Sequence, residues 1–344
     1  MTMHKNEQTA MKMMLKYVVP LVISVGLCYL LFTGIDYHAM LAIVREECDF
    51  RWIAVALVLS IFSHVFRAAR WRIQLRALGV DAPLYALIYS IFGTYAVNLV
   101  FPRLGEVWRT GYIAERQQAP FTTVFGSMVA DRLADTLTVL LLAVAAFGLA
   151  SGAILDFLHT NGETYAAIAR LLTSPWLWGA GLVCAGLLWW LMTRPNLPGA
   201  LGKVRKALGE LWEGFAVVGR MRGRGRWLLW TVALWGCYFL QNCITFLAFP
   251  FTREVLAAHG LTVAFVTFVL SSISMGVPSN GGIGPWQWAV IFALGVYGVG
   301  QTEAGAFANL VLGTQTLLLI ALGIFTFVAI ALDKKKKKNI IRNE

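Results

Sequence analysis

The chain alternates between long apolar runs and short charged segments, a pattern typical of a helical membrane protein. A helix needs about 20 apolar residues to cross a bilayer. Runs of this kind predict spans at residues 15–32, 52–66, 124–150, 176–192, 227–249 and 306–332. Shorter apolar runs lie at 84–101, 261–277 and 283–299, and each borders a break rich in proline and glycine.

Composition supports this interpretation and narrows the functional class. The 344 residues are 58% hydrophobic and only 14% charged, whereas soluble domains carry about 25% charged residues. This excludes a soluble enzyme, a disordered chain and a nucleic-acid-binding domain. The five cysteines show no metal-binding spacing, so no zinc site, disulfide framework or cofactor is predicted. We predict an all-α polytopic membrane protein.

Basic residues indicate how the chain is oriented, because cytoplasmic loops are enriched in lysine and arginine. The N-terminal tail 1–14, the loop after the second span (67–76), the loop 194–226 and the Lys-rich tail 333–344 are therefore predicted to be cytoplasmic. The segments 36–49 and 151–175 carry acids and are predicted to face outward. The net charge of +11 is thus a topology signal, and we expect a multi-pass membrane protein with both termini in the cytoplasm.

The alternation of sides makes the short apolar runs informative. Residues 84–116 must leave and return on the cytoplasmic side, which predicts a re-entrant helical hairpin turning at 102–105. Residues 261–300 must start and finish outside, turning at 278–285, although two full spans satisfy the alternation there too. Irregular backbone at membrane depth must be buried in protein or line water.

These elements divide the chain into two halves with the same order. Residues 15–150 and 176–332 each contain three spans and one hairpin, with opposite orientations, which predicts two inverted repeats. Interrupted segments at matching positions of such repeats indicate a binding site near the membrane midplane. The alternative is that Pro and Gly are simply frequent in membrane helices.

Few charged residues are predicted at membrane depth, where each costs about 2.5–3.5 kcal/mol on insertion scales. They must therefore pair or line water. Arginine matches phosphate geometry, so one hypothesis is an anion site whose acids balance the arginines. The other is a structural salt-bridge cluster that pins the hairpin to the next helix. The residues are Arg103, Glu106, Arg109, Asp131, Arg132 and Asp135.

The two predicted turns add backbone N–H groups, which bind anions where a helix begins. Asn98 is placed to bond the broken backbone of the first turn, or alternatively is an ordinary polar residue of a helix interior. The candidate substrate-binding residues of the turns are Asn98, Pro102 and Gly105 in the first, and Ser279, Asn280, Gly281, Gly282, Gly284 and Gln287 in the second. We predict no catalytic residue and no metal ligand.

Three motifs together resemble a known family. They are N-L-V-F-P-R-L-G-E-V-W-R at 98–109, D-R-L-A-D at 131–135 and P-S-N-G-G-I-G at 278–284. They resemble the lysylphosphatidylglycerol synthase transmembrane-region family, a flippase-like group of UPF0104 type, in its stand-alone membrane form. The resemblance implies that the charged residues form the polar core of a lipid translocation site. Gln287 stands where the family often has an acid, which implies a different lipid or coupling.

The function that the resemblance implies is translocation of a phospholipid or a lipid-linked phosphate, such as a polyprenyl-phosphate-linked substrate, between the leaflets of a bacterial inner membrane. The alternatives are a membrane-embedded headgroup transferase and a structural subunit of a lipid-synthesis complex. Expected partners are the transported lipid and anionic lipid at the cytoplasmic face, with no nucleic acid. A second copy of the chain and a separate lipid-modifying enzyme are further candidates.

Overall fold

A computed structural model describes residues 37–101, 103–160, 170, 174–194, 201–202, 205, 221–277 and 279–343. Regular structure in these ranges is helical, without strands. The helices are α1 Tyr37–Glu47, α2 Phe50–Ala77, α3 Leu84–Val100, α4 Leu104–Gln117, α5 Phe121–Thr160, α6 Pro175–Thr193, α7 Arg224–Thr245, α8 Pro250–His259, α9 Leu261–Ser274, α10 Pro285–Val296 and α11 Gln301–Asn343. The predicted span 15–32 and most of the loop 194–226 lie outside the described residues.

Several helices are long and apolar enough to cross a membrane. Within the described ranges there are four, in α2, α5, α7 and α11, and the pair α8–α9, bent by 110°, makes a fifth if it counts as one span. Helices α3 and α10 are apolar but have 17 and 12 residues. At about 1.5 Å per residue neither reaches across the ~30 Å hydrocarbon core. The predicted all-α polytopic membrane protein is confirmed, while the inverted repeats stay a prediction.

Helix α2 corrects the predicted boundary of the second span. That span was predicted to end at residue 66 and to be followed by a loop at 67–76, and this boundary is wrong. The helix continues to Ala77, since no Gly or Pro interrupts it before Gly79, which adopts a left-handed φ of 80°. Its N-terminus is capped by Asp49, whose carboxylate accepts a hydrogen bond from the Arg51 backbone N–H at 3.1 Å. Arg67 and Arg70 consequently enter the helix bundle.

Other boundaries also differ from the prediction. Helix α5 runs to Thr160, beyond the expected end at 150, and α11 continues to Asn343, through the segment predicted as a tail. The predicted span 227–249 ends as a helix at Thr245, and a short 3₁₀ turn, Phe246–Ala248, leads into the unpredicted α8. Pro250 is well suited to start α8, because a helix leaves its first N–H groups unpaired.

Helix α2 is the axis of the described bundle. Helix α7 packs along it, α3 pairs with both α4 and α11, and α9 pairs with α10. One apolar core surrounds Ile53 and Phe246, near the beginning of α2, and a second surrounds Trp71 and Leu75, near its end. The buried polar residues of α2, from Ser60 to Arg70, lie along the helix from the first core to the second.

Candidate functional site

Five charged side chains from three helices meet inside the bundle. Helix α2 contributes Arg67 and Arg70, α4 contributes Arg109, and α5 contributes Asp131 and Asp135. Spacings of three residues in α2 and four in α5 put each pair on one helix face. All five side chains are buried, and those of Arg70, Arg109 and Asp131 are fully inaccessible. We call these five residues the buried charge cluster.

Short ion pairs join α2 to α5. Arg67 Nη1 donates to Asp135 Oδ2 at 2.7 Å, and Arg70 Nη2 donates to Asp131 Oδ1 at 2.6 Å and Asp135 Oδ1 at 2.8 Å. Arg67 Nη2 also donates to the hydroxyl of Tyr238 on α7, at 3.3 Å. Removing Asp135 would therefore take one acceptor from each arginine, and removing Asp131 would take one from Arg70.

Arg109 differs from the other two arginines of the cluster. Its guanidinium carbon lies 4.6 Å from the centroid of the Trp71 ring, and its Nη2 lies 3.8 Å from Asp131 Oδ2. None of its side-chain N–H groups donates a hydrogen bond to a residue that the structure describes. Three arginines face two aspartates, so the buried charge cluster holds one excess positive charge. An arginine does not deprotonate to remove it.

A second ion pair lies at the rim of the cluster. Arg132 Nη2 is 3.4 Å from Glu106 Oε1, and its Nη1 is 3.8 Å from Asp135 Oδ2. Both side chains are partly exposed, at 34% for Arg132 and 21% for Glu106. The rim pair therefore connects the buried charge cluster to the accessible surface of the bundle.

The position of the cluster along the helices places it within the spans. Arg67 lies about 15 Å along the axis of α2 before Ala77, and Asp135 lies about 21 Å along α5 after Phe121, at 1.5 Å per residue. Charged residues inside membrane spans are rare and usually mark a substrate or ion pathway. Among the described residues, no group of three His, Cys, Asp or Glu side chains could hold a metal ion.

The turn between α3 and α4 (residues 101–105, the first turn) depends on Asn98 and Gly105. Asn98 Oδ1 accepts from the Gly105 N–H at 2.8 Å, and its Nδ2 donates to Glu106 Oε2 at 3.1 Å. A Cβ on Gly105 would lie 2.2 Å from the Thr94 carbonyl oxygen. Asn98 thus caps α4 and orients the acid of the rim pair. Pro102 lies outside the described residues.

The turn between α9 and α10 (residues 275–284, the second turn) lies against the first. Arg103, whose backbone is left-handed at φ 62°, donates from Nη2 to the carbonyl oxygen of Gly276 at 2.9 Å. Asn280 Nδ2 lies 3.5 Å from the carbonyl oxygen of Leu99, and a Cβ on Gly281 would meet the Leu99 side chain at 2.6 Å. The two turns are therefore joined by polar and close steric contacts.

The rest of the second turn is held by internal bonds. Gln287 Oε1 accepts from the Gly284 N–H at 3.0 Å, and its Nε2 donates to Asn309 Oδ1 on α11. Gly282 and Gly284 have positive φ, and a Cβ on Gly282 would meet Met275 Sδ at 2.7 Å. Ser279 Oγ donates to the Val277 carbonyl oxygen at 3.4 Å. Gln287 is thus a structural link in this conformation.

The charged residues that were predicted to form one group lie in different places in the structure. Arg109, Asp131 and Asp135 meet as expected, but Arg103 is exposed and binds backbone, and Arg132 lies at the rim. Arg67 and Arg70 were not predicted as site residues. Their signal is the i,i+3 spacing in a segment without a helix breaker, matched to the i,i+4 spacing of the two aspartates. Because cytoplasmic segments are enriched in arginine, both residues were assigned to a loop and this spacing was not used.

Replacing Gly105 with Ala is expected to destabilise the hairpin by about 1–3 kcal/mol, because the new Cβ would overpack the Thr94 carbonyl. The matched control is Gly111→Ala in the same helix, where a Cβ meets nothing within 4 Å. That change should be neutral or stabilise by up to about 1 kcal/mol, because alanine is the better helix former. Unfolding transitions of both variants in detergent test this, and equal stability would contradict the tight Gly105 contact.

Comparison with known proteins gives one family and two relatives. The family described as lysylphosphatidylglycerol synthase TM region matches residues 17–323. The glycosyltransferase AglD of Haloferax volcanii is 34% identical over 119 residues, which are 34% of this chain and 19% of AglD. A UPF0104 membrane protein of Methanocaldococcus jannaschii is 25% identical over 88 residues, 25% of this chain and 26% of that protein. Both alignments thus cover a small part of the relatives. No solved structure matches the chain.

Proposed function

Because the chain belongs to the lysylphosphatidylglycerol synthase TM-region family, we propose that it is a translocase for an anionic phospholipid or a lipid-linked phosphate. The observation that carries the proposal is Arg109, a fully buried arginine whose side-chain N–H groups have no acceptor among the described residues. An excess buried cation is expensive in a medium of low dielectric. A phosphate at Arg109 would supply both the missing negative charge and the missing acceptors.

In this proposal the aspartates control how strongly the phosphate is held. Asp131 Oδ2 already lies within 4 Å of both Arg67 and Arg109, so a phosphate must share the arginines with this carboxylate. The competition weakens binding, and a carrier needs weak binding because it must also release its substrate. The acyl or polyprenyl chains would stay in the hydrocarbon while the headgroup passes through the bundle.

Access to Arg109 requires a conformational change, because its side chain is fully inaccessible in the structure described here. We infer that α4 separates from α5 and α2 to expose it. The α3–α4 hairpin contributes to both the rim pair Arg132–Glu106 and the hydrogen bond from Arg103 to the Gly276 carbonyl oxygen. Breaking and remaking them would open the cluster to one leaflet at a time, as alternating access requires.

The orientation that we propose follows from the positive-inside rule. Both termini of the chain would lie on the cytoplasmic side of a bacterial inner membrane, because the basic segments 1–14 and 333–344 flank the outermost predicted spans. A C-terminal fusion to green fluorescent protein should fluoresce, whereas a C-terminal alkaline phosphatase fusion should be inactive. The opposite pattern would reverse the orientation.

The central experiment is lipid transport by the purified chain in liposomes. Fluorescent phosphatidylglycerol should become accessible to dithionite faster in proteoliposomes than in protein-free vesicles. No lipid with a new molecular mass should form. Equal rates with and without protein would contradict a translocase able to move phosphatidylglycerol, and a polyprenyl phosphate probe tests the other substrate class. Because one relative is a glycosyltransferase by name, a new lipid formed with an added sugar donor would favour the transferase alternative instead.

A further inference from the structure

A second group of arginines lies where α2 ends, apart from the buried charge cluster. It lines a cleft of about 450 Å³ between the last turns of α2 and the beginning of α7. Four of the seven lining residues are arginines: Arg72, Arg76, Arg222 and Arg226, with Ile73, Ala77 and Met221. We call this feature the arginine cleft.

Negative charge from the described residues does not balance these arginines. The one acid that pairs with them in the described part of the chain is Asp81, which accepts from Arg76 Nε at 2.8 Å and lies 3.7 Å from Arg72 Nη2. The Arg76 hydrogen bond lowers the pKa of the Asp81 carboxyl, so Asp81 is ionised at neutral pH. Its side chain is 68% exposed, and one carboxylate leaves most of the positive charge uncompensated.

Two further observations indicate that the cleft suits an anion. Arg72 Nε is buried and has no acceptor among the residues described. The 22-residue helix α7 begins at the cleft without a side-chain cap, after Gly223 in a left-handed conformation at φ 101°. A long helix directs the positive end of its dipole and its free N–H groups at a site of this kind.

We propose that the arginine cleft binds a phosphate ester, and that the ligand is the headgroup of an anionic phospholipid. Helices α2 and α7 are both long and apolar enough to cross a membrane, so the cleft lies at the end of two candidate spans, where lipid headgroups are found. Arginine at such a position binds phosphate by forked hydrogen bonds. A zwitterionic headgroup is attracted less strongly than an anionic one, because its own cationic group is repelled by the arginines.

The arginine cleft also borders the buried charge cluster. Trp227, the residue after Arg226, has its ring centroid 5.8 Å from the guanidinium carbon of Arg70, and its buried indole N–H has no acceptor in the part of the chain that the structure describes. A headgroup in the cleft would therefore be one side chain away from the cluster. A role for the cleft in supplying lipid to the cluster would rest on the proposed translocation, whereas lipid binding in the cleft does not.

The test measures lipid retention by the full chain in dodecyl maltoside, using native mass spectrometry. The wild-type protein should retain phosphatidylglycerol in preference to phosphatidylcholine. Arg72→Gln/Arg76→Gln should weaken that retention about tenfold through loss of charge-assisted hydrogen bonds. Arg222→Gln/Arg226→Gln removes the opposite wall and should do the same, so the test survives if one variant fails to fold. The matched control is Arg51→Gln, which changes an exposed arginine at the other end of α2.

The outcomes separate the ligand sources and the two proposals. Equal retention of both lipids by the wild type, or unchanged phosphatidylglycerol retention in both folded variants, would overturn the site. If glycerol phosphate stabilises the protein against unfolding while no phospholipid is retained, the lipid assignment is overturned and the ligand is a soluble phosphate ester. Because no transport is measured, the cleft can bind lipid even if the liposome experiment fails, and translocation can succeed even if the cleft binds none.

Discussion

Asp131→Asn is expected to lower the free energy of unfolding by about 3–5 kcal/mol, the cost of removing one partner from a buried ion pair. The wild-type cluster has three arginines and two aspartates, and the variant would have three arginines and one. The Asn amide is nearly the size of the carboxylate and can still accept from Arg70, so the loss measures charge and not volume. Detergent unfolding curves of the purified protein provide the measurement.

Two controls make the Asp131 prediction specific. Asp81→Asn removes an acid that is exposed and ion-paired at 2.8 Å, and it should change stability by no more than about 1 kcal/mol. Adding Arg109→Met to Asp131→Asn restores the wild-type excess of one positive charge, so part of the lost stability should return. A double variant no more stable than Asp131→Asn would show that charge balance does not govern the cluster.

Arg109→Met is expected to abolish most lipid transport while leaving the fold as stable as the wild type or more stable. The side chain is buried and makes no hydrogen bond to any described residue, and replacing buried charge with well-packed apolar groups is often neutral or stabilising by about 1–4 kcal/mol. If Arg109 holds the phosphate, its loss removes charge-assisted bonds of about 1.5–3 kcal/mol. At 1.36 kcal/mol per factor of ten, the transport rate should fall about 10–100-fold.

The Arg109 variants distinguish a functional arginine from a structural one. Arg109→Lys keeps the charge without the planar fork and should retain intermediate transport. Arg116→Gln, in the same helix but bonded to Asp333 at 2.7 Å, should transport like the wild type. Stable Arg109→Met protein that transports at the wild-type rate would contradict the proposed phosphate site, and unfolded Arg109→Met protein would show that the arginine is structural.

Hydrophobic patterning predicted the fold class and most helices. Apolar runs of about 20 residues have few alternatives to a membrane helix, because the bilayer demands internally bonded backbone. The breaks after Val100 and Ser274 were predicted from proline and glycine. Helix α8 was not predicted, because Arg253 and Glu254 make residues 250–260 resemble a polar loop between two apolar runs. The 110° bend that follows lies at Gly260, whose φ is 63°.

The candidate site was predicted in part, and the failures have a common cause. Arg109, Asp131 and Asp135 were identified because they are charges in apolar surroundings. Arg67 and Arg70 were assigned to a cytoplasmic loop, because the positive-inside rule explains any arginine after a span. Arg103 was placed in the core, yet it is exposed and bonded to the Gly276 carbonyl. Polarity alone does not reveal which side of a helix a charge faces.

The sequence by itself therefore determined that this chain is a helical membrane protein with few charges at depth, since the physics of apolar burial acts along each helix separately. The tertiary structure decided which charges meet. Pairing at 2.6–2.8 Å between α2 and α5 depends on the packing and rotation of whole helices, and so does the burial of Arg109 with no hydrogen-bond acceptor among the described residues. The spacing of the arginines and aspartates shows which of them share a helix face. It does not show which faces meet, and that meeting is what turns scattered arginines into a candidate phosphate site.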